Sequence, residues 1–520
     1  MPYFFVPFPS LALDELPQIW DIFVGNLSII GPRPCLGKQE YLIGLREKYG
    51  ANDIKPGLTG WAQINGRDEL ELEKKAKLDG EYVKKKSLLF DMKCFLGTIK
   101  KVIKSEGVVE GFDQNKKKVV WIINQYNTLP EHGRLNRHYY FSRHLYNDGY
   151  EPVLFLGSSP HGTDLQLIED NQPYLINDSH GFKTVFINAR NYKGSTKKRA
   201  LSMLDFYINL LKSADKFQRP DVIIGSNAHP LNCVLAIQLA HKYNVKGISE
   251  VRDLWPESLT EFGIIKKGSP VEKGIYALFK WIYKKSDKII FTFRGGKSYI
   301  EDIGLERDIE IEKIEYLNNG IDLELFYENK ERYQVEDEDL NSEAFKVVYA
   351  GAMGPPNQIG DIVEAAEELY SRGYTDIKFI LYGDGSEREK YENYCKDNGI
   401  RNVFFKGFIE KNKIPSVLSQ ANVNIITIKE SSLYKYGIST NKVFDYLAAG
   451  KPIVANNECI ESITGNSICV IKCRNLSDGV LNSYNLNDAD CLMMSKEAQN
   501  LAERYSYDSL TSKLEDILEG

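Results

Sequence analysis

Cysteine is scarce and scattered, with eight in 520 residues. The two nearest each other, Cys469 and Cys473, lack the CxxC spacing of a zinc or redox site, so a reduced cytoplasmic setting without structural metal is expected. Long apolar runs are missing too: nothing approaches the roughly 18 to 20 residues that a membrane span needs. The stretch Met1 to Leu13 is short and has neither a basic n-region nor a small-residue cleavage site, so the chain is expected neither to cross a membrane nor to be exported. There is no excess of basic charge. A net charge of −6 with 27% charged residues argues against a general nucleic-acid binder, and 42% apolar content argues against disorder. No internal repeat, low-complexity tract, Ser/His/Asp order or metal-ligand spacing stands out, and His138 and His144 do not share a helix face. What remains is a globular chain with room for about three domains.

From Lys118 onward, short apolar runs alternate with helical patterns. Val119 to Ile123, Pro152 to Leu156, Asp221 to Gly225, Val245 to Val251 and Lys288 to Phe293 read as buried strands, with helical patterns such as Ala200 to Ser213 and Asn232 to Tyr243 between them. A second series starts at Phe345 to Tyr349 and continues through the helix Gly360 to Tyr370 and the strand Ile377 to Leu381. Alternation of this kind predicts parallel sheets, with ligands at the carboxyl ends of the strands. The loop Glu131-His132-Gly133-Arg134 is therefore expected at a cleft, and so is the glycine-bearing loop Gly351 to Pro356. The acidic stretch Tyr333 to Glu343 reads as the connector between the two series, and Lys496 to Tyr505 as the terminal helix.

The most informative stretch is Tyr436 to Val454, YGISTNKVFDYLAAGKPIV. Ser439, Thr440 and Asn441 are all N-cap types, and Val443, Leu447 and Ala448 recur at helical spacing behind them. A helix starting here offers free N–H groups and positive dipole, and Lys442 adds a full charge beside them. A diphosphate fits such a site without a metal. Asp445, one turn in, can accept hydrogen bonds from a ribose, and Gly450-Lys451-Pro452 ends the helix ahead of the strand Ile453 to Ala455. An ordinary helix-to-strand junction has the same outline.

This block resembles the donor-binding segment of retaining GT-B glycosyltransferases of the family-4 type, in which two Glu with seven residues between them bracket a nucleotide-sugar. Asp445 falls on the second acidic position and Gly437 on the first, so one carboxylate of the pattern is missing. The form G-x-S-x-N-K-x-F-[ED]-Y is similar to the subgroup that builds surface polysaccharides on lipid carriers, the deoxyamino-sugar and colanic-acid-type transferases. Other elements follow in that family's order. Gly133 matches the second glycine of a Gly-Gly loop, and Asn319-Gly320-Ile321-Asp322 matches its N-G-[VI]-D element. Gly354 lies in the second glycine loop, Leu381 to Gly385 carries Gly383 in a G-D-G position, and Phe405 to Phe408 fits F-x-G. The resemblance implies donor binding by Gly133, Gly354, Gly383, Asn441, Lys442 and Asp445. Glu250 to Ser258, EVRDLWPES, resembles the R-D-L-W-P-E-S stretch of the lipid-linked subgroup. There Asp253 can orient or deprotonate an acceptor hydroxyl, or it can simply form a structural pair with Arg252, as Glu257 could instead. The helix after it buries Ile275, Leu278, Phe279 and Ile282 and shows Lys273, Lys280, Trp281, Lys284 and Lys285, which suits a membrane surface or plain solvent.

The first segment has a different character. GNLSIIGPRP (Gly25 to Pro34) and KPGLTGWAQINGR (Lys55 to Arg67) are two Gly/Pro-stiffened loops. Each carries an arginine, Arg33 or Arg67, suited to phosphate contacts or to tying the loop down. With DELPQ and LDGEYVKKKSLLFDMKCFLGTIKKV they resemble, in order, the C-terminal half of the bacterial sugar transferases, which move a sugar phosphate from a UDP-sugar to polyprenyl phosphate. Those enzymes need Mg²⁺ and a carboxylate nucleophile upstream of DELPQ. Asp14-Glu15 sits within DELPQ itself, so the segment is expected to be inactive, a truncated fusion partner or a docking module. The lysines Lys84 to Lys86, Lys100, Lys101, Lys104 and Lys116 to Lys118 suit an anionic leaflet or a plain solvated surface.

The expected architecture is therefore α/β: a small α-rich partial phosphoglycosyl transferase segment (1–112), a linker (113–117), and two Rossmann-like domains (118–335, acceptor; 336–520, donor) facing a cleft as in GT-B. The resemblance implies a nucleotide-sugar donor, a polyprenyl-linked saccharide acceptor and a peripheral place on the inner face of the cell membrane. No cofactor, no metal and no nucleic acid are expected.

Overall fold

The structure, a computed structural model, describes residues 24–25, 27–32, 45–65, 72–104, 117–133, 136–161 and 163–520. The chain divides into two compact units, Met1–Lys116 and Lys117–Gly520.

In the first unit the two Gly/Pro-stiffened motifs meet. Strand β1 (Ser28–Ile30) pairs in parallel with β2 (Gly57–Thr59), because glycines at 31 and 57 let the backbones touch. A Cβ on Gly57 would lie 2.1 Å from the Gly31 nitrogen. The helices Leu72–Lys85 and Leu88–Lys104 pack beside this pair. Tyr82 bonds both Asp91 (2.7 Å) and the Ile30 carbonyl (3.2 Å). Arg46 and Asp79, both buried, form a two-point ion pair at 2.8 and 2.5 Å. The second helix leaves Leu88, Leu89, Met92, Phe95 and Leu96 exposed along one face.

The second unit holds two sheets. The first contains β3 (Val119–Ile123), β4 (Glu151–Gly157), β5 (Tyr174–Asn177), β6 (Lys183–Ile187), β7 (Val222–Ser226), β8 (Lys246–Val251), β9 (Lys288–Phe291) and β10 (Ile314–Tyr316), in the order β10-β9-β8-β7-β3-β4-β6-β5. Only the edge strand β5 runs antiparallel. The second contains β11 (Phe345–Ala350), β12 (Ile377–Tyr382), β13 (Val403–Gly407), β14 (Val423–Ile426), β15 (Ile453–Ala455) and β16 (Val470–Lys472), all parallel, in the order β13-β12-β11-β14-β15-β16. All five residues of β3 are buried, as a strand covered on both faces requires. Strand order reverses around β3 in one sheet and β11 in the other, and the loops leaving these strands and their neighbours form the cleft.

The C-terminus differs from the sequence expectation. The pattern Lys496 to Tyr505 belongs to a longer helix, Asp488–Arg504, which starts earlier because Asn487 caps it by accepting from the Asp490 amide (2.9 Å). The element that returns to the first sheet is the following helix, Tyr507–Glu519, capped by Ser506. Tyr507 stacks on Tyr140 at 4.8 Å, Asp508 meets His144 at 3.0 Å, and Lys118 and Lys246 both donate to the Leu518 carbonyl. The acidic connector is pinned to the second sheet: Asp339 bonds Lys378 and Lys406 at 2.8 and 2.7 Å.

The glycine loops test this packing. Gly383 has a φ of +139°, and a Cβ there would lie 1.8 Å from the Gly351 carbonyl oxygen, whereas a Cβ on Gly354 meets only Pro356 Cδ at 3.8 Å. Gly383→Ala should cost roughly 2 kcal/mol or more of unfolding free energy. Gly354→Ala should stay within about 0.5 kcal/mol. Calorimetric melting of the two variants checks this, and equal melting temperatures would contradict it.

Candidate active site

The helix Asn441–Ala448 buries Val443, Phe444, Tyr446, Leu447 and Ala448, which fixes its remaining face toward the cleft. Tyr446 ties it to the end of β11, its hydroxyl accepting from the Ala350 amide (3.0 Å) and donating to the same residue's carbonyl (3.3 Å). Thr440 is the N-cap residue, but its side chain makes no capping bond. Ser439 does not substitute for it, since its hydroxyl donates to Asn318 Oδ1 (2.7 Å). The first-turn amides are thus left for a ligand or water.

Lys442 crosses Gly351, where a Cβ would come within 2.8 Å of Lys442 Cδ. Its Nζ donates to the Tyr349 hydroxyl (2.9 Å) and to Asn357 Oδ1 (2.5 Å), both neutral. Burial without a counter-charge depresses its pKa to about 8. Asp445, one turn on, finds no hydrogen-bond donor among the described residues, and burial pushes its pKa up to about 6 against the weaker pull of Lys411. Two uncompensated charges on one short helix mark a functional site more often than a structural one.

The opposite wall is the loop leaving β8. Its footing is Glu250, buried, which accepts from Arg137 Nε (2.8 Å), His138 Nε2 (2.8 Å) and Ser226 Oγ (2.7 Å). Arg137 continues to the carbonyls of Leu317 (2.8 Å) and Asn318. Burial lowers the His138 pKa although Glu250 opposes it, so the ring is neutral, with Nδ1 accepting from Asn124 and Nε2–H directed at Glu250. Asn227 then clamps the loop, its Oδ1 accepting from the Arg252 amide (2.7 Å) and its Nδ2 donating to the Asp253 carbonyl (3.0 Å). Glu257 accepts from Tyr276 and Tyr299, not from Arg252. Asp253 is reachable by solvent yet set deep in the cleft, where the loss of hydration raises its pKa and Arg252 pulls it the other way.

Asp253 and Lys442 line one cavity of about 490 Å³, together with Arg252, Phe262, Asn357 and Thr440. Glu261 and Glu430 also line it. A second cavity of about 250 Å³ adjoins through Arg252, Asp253 and Ser439. A shallower basin of about 990 Å³ runs past Arg294, Tyr436 and Gly437 and contains neither Asp253 nor any of the six residues expected to bind the donor.

Of those residues, Asn441 is exposed at the helix start and Asp445 follows a turn later. Gly383 packs beneath Gly351, which in turn underlies Lys442. Gly133, Gly354 and Gly383 are not among the residues lining either cavity. At Gly133 a Cβ would meet Thr128 at 2.9 Å, so packing there favours glycine. Gly437 cannot carry the missing carboxylate without strain: its φ is +106° and a Cβ would lie 3.0 Å from Ser462 Cβ. Arg33, Arg67, Asp14 and Glu15 lie outside the described residues. Sequence reasoning missed Glu250, His138, Asn227, Tyr349 and Asn357, none of which belongs to a local spacing pattern. The one available hint was the adjacency of Glu250 to Arg252-Asp253.

Comparison with known proteins gives the class. Residues 9–105 match the family model of the bacterial sugar transferases, 136–325 that of Glycosyltransferase Family 4, and 344–482 that of the group 1 glycosyl transferases. The uncharacterized sugar transferase EpsL of Bacillus subtilis is 46% identical over 100 residues, 19% of this chain and 48% of EpsL. The UDP-glucose:undecaprenyl-phosphate glucose-1-phosphate transferase of Escherichia coli is 43% identical over 95 residues, 17% of this chain and 20% of that enzyme. The chain thus spans about half or less of these relatives' length. The second unit has the fold of Anabaena Alr3699/HepE, solved in complex with UDP, at 12% identity and TM-score 0.55 over 77% of this chain and 99% of that one. The second unit thus has the GT-B fold and matches two glycosyltransferase family models, and the segment before it matches the bacterial sugar transferases.

Asp445 generates a test by pH. Folded, it holds its proton to about pH 6; unfolded, it releases it near the ordinary 3.8. Between those values the native state binds more protons, so stability falls as pH rises through the window. Asp445→Asn should raise the melting temperature at pH 7.5, by the equivalent of roughly 1–3 kcal/mol, and change little at pH 4. An equal shift at both pH values would rule out Asp445 as the titrating group.

Proposed function

We propose that Lys117–Gly520 is a retaining glycosyltransferase that moves a sugar from a UDP-linked donor to a polyprenyl-diphosphate-linked saccharide in the assembly of a bacterial surface polysaccharide. The observation that carries this reading is the cavity of about 490 Å³ with Asp253 on one wall and Lys442 beside an uncapped helix N-terminus on the other.

The donor diphosphate lies against the first-turn amides of Asn441–Ala448 and against Lys442, whose ammonium gains the counter-charge it lacks. Asp445 accepts from the ribose, and Glu261 and Glu430 are the carboxylates available for the donor sugar in place of the one missing at Gly437. As the halves close, the bond from the anomeric carbon to the β-phosphate oxygen breaks and a new one forms to the acceptor oxygen on the same face. The departing negative charge is held by helix dipole and Lys442, and Asp253 orients the acceptor hydroxyl and takes up its proton as the new bond forms. Gly133, Gly354 and Gly383 act by shaping the loops. These parts do the electrostatic work of a cation, and no metal is required.

UDP in the HepE complex and undecaprenyl phosphate in the name of the Escherichia coli relative support the choice of donor and lipid carrier. A peripheral place on the inner face of the membrane is supported by Phe262 and Ile264, 70% and 66% exposed, with Phe262 on the cavity wall and Lys266 and Lys267 just beyond. The helix Pro270–Lys285 contributes less charge than its sequence suggests, since Lys280 and Lys284 both pair with Asp308. Among the described residues no helix is long and apolar enough to cross a membrane. The exposed face Leu88 to Leu96 suits membrane contact or docking by the first unit.

The test is one transfer assay. Incubated with a UDP-sugar chosen by thermal-shift screening and a lipid-linked saccharide, the protein should release UDP, in EDTA as well as without it. Lys442→Ala should lower turnover at least about 100-fold while the protein stays folded. Unchanged kinetics of that variant, or loss of transfer on chelation with rescue by Mg²⁺ or Mn²⁺, would refute the diphosphate site. Release of UMP with polyprenyl phosphate would move the chemistry to the first unit.

A further inference from the structure

The cavity of about 250 Å³ beyond Asp253 is not explained by donor binding. It belongs mainly to the first half of the unit and is lined by Tyr126, His161, Arg199, Arg252, Asp253 and Thr292. Arg199 commits its Nε to the Tyr126 hydroxyl (3.1 Å) and lies over that ring at 5.1 Å. Its two terminal nitrogens have no acceptor among the described residues. The Arg252 side chain makes neither a hydrogen bond nor an ion pair among the described residues; only its backbone amide is engaged. Thr292 is 1% exposed, and its Oγ1 has no partner among the described residues. His161 Nδ1 is held by the Tyr192 hydroxyl at 2.6 Å, and Nε2 has no partner among the described residues. Asp253 is the one carboxylate on this lining, against two guanidinium groups.

Two unpaired guanidinium forks and a buried orphan hydroxyl around one small void are costly to maintain unless a ligand completes them. Guanidinium forks match the geometry of phosphoryl oxygens, and a phosphoryl group has enough acceptors for both forks and the threonine together. The volume is below the roughly 300 Å³ of an ordinary small-molecule pocket, which fits one compact charged group better than a saccharide. We propose that this cavity binds a phosphoryl group, and that the group is the one through which the acceptor saccharide is joined to its lipid. The inference rests on the transfer reaction proposed above. It adds that the acceptor is recognised by its anionic linkage, with Arg199 and Arg252 setting the distance from that linkage to Asp253.

The experiment uses the full chain saturated with UDP, so that the donor cleft is filled, and titrates in inorganic diphosphate calorimetrically. A second binding event is expected, weakened at least about tenfold by Arg199→Gln and less by Arg199→Lys, with UDP affinity unchanged. Failure of UDP itself to bind would instead defeat the transferase reading, which separates the two ideas. Absence of diphosphate binding to the UDP-saturated protein, or equal affinity in wild type and Arg199→Gln, overturns the site. Tighter binding of glucuronate than of diphosphate overturns the phosphoryl assignment. To separate lipid linkage from free phosphate, the same saccharide is offered as a diphosphate-linked and as a neutral benzyl acceptor. Arg199→Gln should raise KM only for the first, and an equal rise for both overturns the acceptor assignment. Should Arg199→Gln not fold, Arg199→Lys carries the comparison, with a smaller expected KM increase confined to the diphosphate acceptor.

Discussion

The buried carboxylate of Glu250 is the interaction on which the site depends. It joins the end of β7, the end of β8 and the start of the helix Arg137–Asn147 in one cluster. Through Arg137 the cluster reaches Leu317 and Asn318, just after β10. Asn318 and Asn319 carry it on to Ser439, the latter by a 2.7 Å bond from Nδ2 to the Ser439 carbonyl. A continuous chain of hydrogen bonds therefore runs from the strand that presents Asp253 to the residue just before the helix that presents Lys442. Charges of this kind are expensive to bury alone; removing one partner of such a pair typically costs about 3–5 kcal/mol. The network is thus less a source of net stability than a constraint that fixes where the two walls stand.

Against that rigid frame, the groups facing the cavity are kept short of partners. Lys442 has only neutral acceptors, Asp445 has no donor among the described residues, and Arg199 and Arg252 have no carboxylate in ion-pair reach. A protein that left these charges in place for stability would have paired them. Held between fixed walls, they are preorganised for a ligand that carries the opposite charge on one side and hydroxyls on the other.

Much of the fold could be read from the sequence, because buried parallel strands are nearly unbroken apolar runs. VVWII and Ile453 to Ala455 fall where they were expected. Strand β14 was hidden because Asn424, buried and donating to the Leu418 carbonyl, interrupts its run. The last two helices were misjudged because their start signals, Asn487 and Ser506, are single polar residues in polar surroundings. At the site, Lys442, Asp445 and Asp253 stood out because each sits in a local motif. Glu250 did not, since Arg137 and His138 lie more than a hundred residues from it in sequence and meet it only through the fold. Gly437 was visible as a departure from a pattern, but its reason, a left-handed backbone packed on Ser462, exists only in three dimensions.

The central claim is that a nucleoside diphosphate rests on the N-terminus of the helix Asn441–Ala448. Hydrogen exchange of the full chain with and without UDP measures this at the amides concerned. Slowed exchange at Asn441, Lys442 and Val443, and in the loop 351–357 that holds the partners of Lys442, is the expected result. Protection confined to the basin around Arg294 and Tyr436, or to the unit Met1–Lys116, with 441–443 unchanged, would contradict it.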